Sequence, residues 1–132
     1  MAVQKRDREK IAAVLNSRRG RGNICPVKDI LARYGDKWSL YTILLLGRDG
    51  ALRFTEIRTG ISGISQRMLT VTLRALLEDG IITRTEYAET PPRVEYALSS
   101  LGESLLKELV RLATWSAEHF EEIKKARKAF KK

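Results

Sequence analysis

Apolar residues recur every three or four positions along most of this chain, and they alternate with polar residues only in one region past its middle. The first pattern predicts α-helices, because such spacings place side chains on one helix face, and the second predicts β-strands. Residues 52–54 are expected to form a short strand, after Gly47 and Gly50 have ended the preceding helix. The predicted helices cover residues 3–17, about ten residues from Pro26, residues 37–46, residues 56–59 capped by Thr55, residues 66–79, and residues 101–125.

The helix that follows Ser65 has two different faces. Ser65 is a natural N-cap, and Gly80 can adopt the left-handed conformation that ends a helix. One face is a leucine stripe that must be buried, formed by Leu69, Leu73, Leu76 and Leu77. The opposite face carries Arg67, Val71, Arg74 and Glu78, with Met68 and Thr70 on its flanks. Outward arginines near a capped N-terminus suit a helix in a DNA major groove, although a solvated helix face is the simpler alternative.

The segments on either side of this helix favour the DNA interpretation. Gly60–Gly63 is a short Gly/Ser connection to the preceding helix, which gives a helix-turn-helix arrangement. Residues 81–88 and 94–98 each show the alternating side-chain pattern of a strand, and Glu89–Arg93 lies between them. This arrangement predicts a β-hairpin with prolines in its loop. A hairpin in this place is a wing, and we expect Arg93 at its tip. The predicted fold class is therefore mainly α with a small β-hairpin: a winged helix-turn-helix domain flanked by terminal helices.

The last helix has more apolar surface than a small domain needs to cover. Two neighbouring stripes run along it. A single wide buried face would explain the two stripes. The preferred interpretation is that part of this apolar surface packs on a second subunit. The residues predicted to form that contact are Leu105, Leu109, Leu112, Trp115 and Phe120.

Length and charge limit the function classes. The chain has 132 residues, enough for one domain with its own core, and a net charge of +9, which points to a polyanionic partner such as nucleic acid. The excess lies at the ends, because residues 29–98 contain nine basic and nine acidic side chains. No stretch is apolar enough to cross a bilayer and the N-terminus lacks a signal-peptide core, so a cytoplasmic location without membrane contact is expected.

Candidate catalytic and metal-binding groups are few. The chain has a single cysteine, which cannot form an internal disulfide. Its single histidine cannot build a metal site with that cysteine unless carboxylates help. Cys25 and His119 are the only possible thiol–imidazole pair, and no nucleophile elbow or phosphate-binding glycine loop is present. We therefore expect no enzyme activity, no metal and no cofactor.

Several motifs together resemble the HxlR-type family of winged helix-turn-helix transcriptional regulators. The resemblance covers about residues 25–115. The matching segments are Cys25-Pro26, Gly35-Asp36-Lys37-Trp38, Arg53-Phe54-Thr55-Glu56-Ile57-Arg58, residues 63–70, Leu73-Arg74, Glu78-Asp79-Gly80, residues 91–98 and Leu101-Gly102. Leu98-Ser99 stands where the family commonly has Leu-Thr, which keeps a capping hydroxyl.

The resemblance implies a homodimer that binds a pseudo-palindromic double-stranded operator and represses, or less often activates, a nearby promoter. Gln66, Arg67, Thr70 and Arg74 would then read bases or nearby phosphates, and Ser65 would anchor the helix start at the DNA backbone. Arg53 and Arg93 would clamp phosphates. The alternative is a winged helix that binds proteins without specific DNA binding, which the balanced charge of residues 29–98 favours.

Some family members sense oxidants, quinones or aldehydes through the cysteine that corresponds to Cys25. A thiol directly before a helix start, close to an arginine-rich connector, should have its thiolate favoured. The alternative is a small buried hydrophobic residue, which cysteines often are. The inducer cannot be read from the chain.

Three segments are predicted. Residues 1–24 form a basic helix and connector that serves as a dimerisation or DNA-backbone arm. Residues 25–100 form the DNA-binding domain. Residues 101–132 form the dimerisation helix and a basic tail.

Overall fold

The computed structural model describes residues 3–16 and 25–131, so the basic connector around Arg18–Gly22 lies outside the described residues. The described part falls into two compact units divided between Lys37 and Trp38. Its elements, in chain order, are α1 (Lys5–Asn16), α2 (Pro26–Tyr34), α3 (Lys37–Asp49), α4 (Phe54–Gly60), α5 (Gln66–Glu78), β1 (Ile82–Tyr87), β2 (Arg93–Leu98) and α6 (Ser100–Phe130).

The first unit contains α1 and α2, both of which the sequence predicted. Every residue of α1 is exposed, including Ile11 and Leu15. Pro26 starts α2, where its missing N–H has no intrahelical partner to lose. The helix ends at Gly35, whose N–H donates to Leu31 O at 2.8 Å.

The core of the second unit is built on α3, but the predicted end of this helix was wrong. Ile43 and Leu46 are buried, and the buried hydroxyl of Thr42 donates to Trp38 O at 2.8 Å. The helix continues through Gly47 to Asp49, and Gly50 follows with a φ of 81°. A Cβ at Gly47 would come within 2.5 Å of the Leu106 side chain, so this glycine lets α3 and α6 approach closely instead of ending the helix.

The segment before the helix-turn-helix also differs from the prediction. Only Leu52 of residues 52–54 pairs as a strand residue, in a single bridge to Tyr96. Helix α4 begins at Phe54, with Arg53 instead of Thr55 at the N-cap. The Glu56 carboxylate causes this earlier start, because it accepts the Arg53 backbone N–H at 2.8 Å, as in a capping box.

The helix-turn-helix and the wing have the predicted form. Ile57, Ile61 and Ile64 are buried around the turn between α4 and α5. Leu69, Leu73 and Leu76 bury the inner face of α5, whereas Leu77, the fourth residue of the predicted stripe, is half-buried. Gly80 ends the segment with a φ of 73°. Strands β1 and β2 form an antiparallel hairpin, in register from Ile82 opposite Leu98 to Tyr87 opposite Arg93. The fold is mainly helical with one hairpin, as expected.

Helix α6 is attached to this domain at its N-terminus. The Ser99 hydroxyl accepts the Gly102 N–H at 3.0 Å and contacts Gly80 O at 2.6 Å. A Cβ at Gly102 would overlap Ile81 O, so only glycine permits this crossing. The helix runs to Phe130, beyond the predicted residue 125, and cations in its last turn suit the helix dipole. Within the described residues, none of the helices is long and apolar enough to cross a membrane.

Candidate nucleic-acid interface

The N-terminus of α5 is held by its predicted cap. Ser65 has extended backbone angles, and its Oγ accepts the Met68 N–H at 3.0 Å. This bond uses the hydroxyl oxygen and leaves the hydroxyl hydrogen available for a phosphate oxygen. Ser65 is exposed, so it can act both as the helix cap and as a contact to a DNA backbone.

The outer face of α5 carries two arginines that have no partner in the part of the chain that the structure describes. Arg67 and Arg74 are exposed, on the side away from the buried Leu69 and Leu73. Neither guanidinium makes a hydrogen bond or ion pair with any residue in the ranges 3–16 and 25–131. Both positive charges therefore face outward with their five N–H donors available.

Gln66 and Thr70 lie beside these arginines, and their side chains differ in hydrogen bonding. Gln66 is the first residue of α5, and its side chain is exposed. The Thr70 hydroxyl donates to Gln66 O at 2.9 Å, so its proton is used within the helix. Thr70 can still accept a hydrogen bond from a base or present its methyl group.

Arg53 lies between the helix-turn-helix and the wing. It follows Leu52, whose N–H donates to Tyr96 O at 2.9 Å and whose carbonyl accepts the Tyr96 N–H at 2.8 Å. These bonds tie the start of α4 to β2. The Arg53 side chain is exposed, as a phosphate contact requires.

Arg93 differs from the other predicted contacts because the wing itself binds its guanidinium. The prediction that Arg93 stands at the tip of the hairpin was wrong, because it pairs with Tyr87 as the first residue of β2. Its Cζ lies 4.0 Å from the centre of the Tyr87 ring. Its Nε is 3.2 Å from Glu89 Oε2, and its Nη1 is 3.4 Å from Glu95 Oε2. The sequence pattern did not indicate these ion pairs, although Glu89 and Glu95 stand four residues before and two after Arg93. Two nearby negative charges reduce the attraction of Arg93 for phosphate.

A further exposed arginine, Arg58, lies near the turn, and no role was predicted for it. Arg58 is exposed on α4 and lines a shallow groove of about 430 Å³ between α4 and the start of α5. Thr55, Thr59 and Ser62 line the same groove. The signal was present in the sequence as a basic residue near the end of the first helix of the pair.

Comparison with known proteins identifies the family. The model of the HxlR-like helix-turn-helix family matches residues 34–124. The chain belongs to this HxlR-like family. The family consists of transcriptional regulators with a DNA-binding helix-turn-helix and is not an enzyme family, in agreement with the expectation from the sequence.

Three relatives of this HxlR-like protein illustrate the likeness. An HTH-type transcriptional regulator of Methanothermobacter thermautotrophicus is 45% identical over 92 residues, which cover 70% of each chain. The redox regulator HypR in its reduced form superposes with a TM-score of 0.70 at 35% identity, covering 76% of this chain and 98% of HypR. Diamide-treated YodB from Bacillus subtilis superposes with a TM-score of 0.63 at 32% identity, covering 72% and 94%.

Cys25 of this HxlR-like protein is the N-cap of α2. The residue is half-buried, and its Sγ lies 3.9 Å from Val14 O, to which the thiol can donate. A thiol that donates keeps its proton, whereas the helix N-terminus favours the thiolate, so the two effects oppose each other. Among the residues that the structure describes, no group of His, Cys, Asp and Glu side chains could hold a metal ion.

The predicted dimer residues on α6 divide into two groups. Leu105 and Leu109 are half-buried within the single chain. Leu112, Trp115 and Phe120 are 58%, 51% and 45% exposed. The indole of Trp115 stacks on the His119 ring at 4.7 Å between centroids, which orders this exposed apolar surface.

Proposed function

We propose that this protein is a homodimeric, sequence-specific DNA-binding regulator that acts mainly as a repressor at a pseudo-palindromic operator. One observation carries the proposal: Arg67 and Arg74 face outward from a capped helix whose other face is buried, and neither has a partner in residues 3–16 or 25–131. Arginine at such a position can bond guanine O6 and N7 with two parallel hydrogen bonds in the major groove.

The other contacts have different roles in this proposal. Gln66 and Thr70 lie beside the arginines and read bases or adjacent phosphates. Ser65 donates its hydroxyl hydrogen to a phosphate, and Arg53 contacts the backbone beside the wing. Arg93 makes a weaker phosphate contact, because Glu89 and Glu95 already share its charge. In this proposal the side chains of α5 contact bases and set the sequence preference. The phosphate contacts of the surrounding elements position the protein on the duplex.

The homodimer is inferred from the apolar surface of α6. Leu112, Trp115 and Phe120 are large apolar side chains left exposed in the single chain, and burial against a second copy would remove them from water. A twofold dimer would place two α5 helices on one side of a duplex, and it would explain a palindromic operator.

Oxidant or electrophile control through Cys25 is the regulatory part of the proposal. The support is the position of the thiol at the N-cap of α2 and the likeness to HypR and YodB, one named as a redox regulator and the other solved after diamide treatment. Oxidation of Cys25 would form a sulfenic acid, and the same cysteine of the second subunit could condense with it to a disulfide and water.

Selection of bound fragments from the source genome, followed by footprinting, tests DNA binding directly. We expect two protected segments whose centres are about 10 base pairs apart, one helical turn of the duplex. Fragments without common sequence, or no protection at all, would contradict specific DNA binding. Capture of a protein instead of DNA would favour the interaction-module alternative, for which the equal numbers of acidic and basic residues in 29–98 are the supporting observation.

A further inference from the structure

The outer face of α5 has an apolar centre between its two arginines. Val71 is 55% exposed, although valine is among the residue types that folded proteins most often bury. It stands four residues after Arg67 and three before Arg74, so the three side chains lie on one helix face. In water this side chain makes no hydrogen bond, whereas contact with an apolar group of a bound partner would bury it.

Two neighbouring residues extend this apolar centre. Met68 is 39% exposed on the flank of the same face. The Thr70 hydroxyl donates to Gln66 O at 2.9 Å, which turns the polar branch of Thr70 toward the helix backbone. Its methyl group is the remaining branch of an exposed side chain. The apolar centre therefore consists of Val71, the Thr70 methyl group and Met68.

The chemistry of the major groove provides one apolar group for such a surface. Guanine, adenine and cytosine show donors and acceptors on their major-groove edges, whereas thymine also shows its C5-methyl group. Valine has no donor or acceptor, so pressing it against a polar base edge would remove water without replacing the lost hydrogen bonds. Against a thymine methyl group, the same contact buries apolar surface on both sides.

We propose that Val71, assisted by the Thr70 methyl group, reads the C5-methyl group of one thymine in each operator half-site. This inference rests on the proposed DNA-binding function and adds a base to it. At about 1.5 Å of helix rise per residue, Val71 is about 6 Å along α5 from Arg67. That distance corresponds to roughly two base-pair steps of about 3.4 Å, so the thymine lies within two base pairs of the base that Arg67 contacts.

Replacement of thymine by deoxyuridine tests this contact, because it removes only the methyl group. The full-length protein is titrated, by fluorescence anisotropy, onto the footprinted operator with each thymine of a half-site replaced in turn. We expect the wild-type protein to lose about threefold to fivefold in affinity at one position per half-site, as burial of a single methyl group implies. Val71→Ala should bind the thymine and deoxyuridine operators equally at that position, whereas Val71→Ile should retain the difference.

Val27→Ala is the matched control, since it makes the same substitution at an exposed valine of α2, outside the helix-turn-helix. It should keep the discrimination at the Val71 position. The inference is overturned if no deoxyuridine replacement weakens the wild-type protein, or if Val71→Ala still discriminates while its thermal unfolding is unchanged. Those results would leave DNA binding intact, whereas the absence of any footprinted operator would overturn the proposed function itself.

Discussion

The arginines of this domain differ in how many acidic side chains of the protein lie close enough to compete with phosphate. Arg67 and Arg74 have no described partner, whereas Arg93 lies on the Tyr87 ring between Glu89 and Glu95. Helical periodicity was enough to predict the outward direction of the α5 arginines, because the leucine stripe defines the opposite face. It could not predict the state of Arg93, because that state depends on carboxylates brought to it by a hairpin loop and a neighbouring strand residue.

Replacement of Arg53 and of Arg93 by alanine should therefore have unequal effects. Both changes should weaken binding to specific and unrelated DNA alike, since phosphate contacts carry no base information. Arg53→Ala should reduce the slope of log affinity against log salt by about one, as loss of a full phosphate contact does, and Arg93→Ala by clearly less. Equal reductions in anisotropy titrations from low to high salt would show that Glu89 and Glu95 do not compete with phosphate.

The Cys25 thiol is the group proposed to respond to oxidants. Mild diamide treatment should modify Cys25 and lower operator affinity in the wild-type protein, whereas Cys25→Ser should retain its affinity. Mass spectrometry identifies the modified residue, and titration of the treated protein measures the consequence. An unmodified thiol with unchanged affinity would exclude the sensing role and leave Cys25 as a packed N-cap residue of α2.

At the scale of elements, the junction between α5, β1 and α6 depends on two small residues. The Ser99 hydroxyl bonds both the start of α6 and the carbonyl of Gly80, and the backbone of Gly102 packs on Ile81. Sequence patterns predicted nearly every helix and strand of the described chain. They misplaced the end of α3 and the cap of α4, because glycine and threonine usually mark such boundaries. At Gly47 and Arg53, tertiary packing of Leu106 and a local carboxylate bond from Glu56 decided instead.

Gly102→Ala should destabilise the protein by about 1 to 3 kcal/mol, the usual cost of forcing extra volume into a packed contact. The added methyl group would meet the Ile81 carbonyl, which is backbone and cannot turn away. Leu101→Ala is the control in the same turn, because Leu101 is 56% exposed and should cost much less. Urea unfolding of both variants checks this, and similar midpoints would contradict the close crossing.

At the scale of the whole molecule, the proposed dimer depends on the exposed apolar surface of α6. Leu112→Glu would place a charge among apolar side chains at the interface and should shift the protein toward monomer. Arg111→Glu, an exposed change at the adjacent position, should leave the dimer intact. Sedimentation equilibrium distinguishes them; a wild-type monomer at micromolar concentration, or equal behaviour of the two variants, would argue against this interface.

Arg67→Ala shows whether the outer face of α5 reads bases. Its affinity is compared with that of the wild-type protein on the footprinted operator and on operators altered at each position of one half-site. We expect Arg67→Ala to lose about 1 to 3 kcal/mol on the operator and to show a relaxed preference at one base pair, with no such change for the control Arg111→Ala. Unchanged affinity and unchanged base preference in Arg67→Ala would contradict base reading by this face of α5.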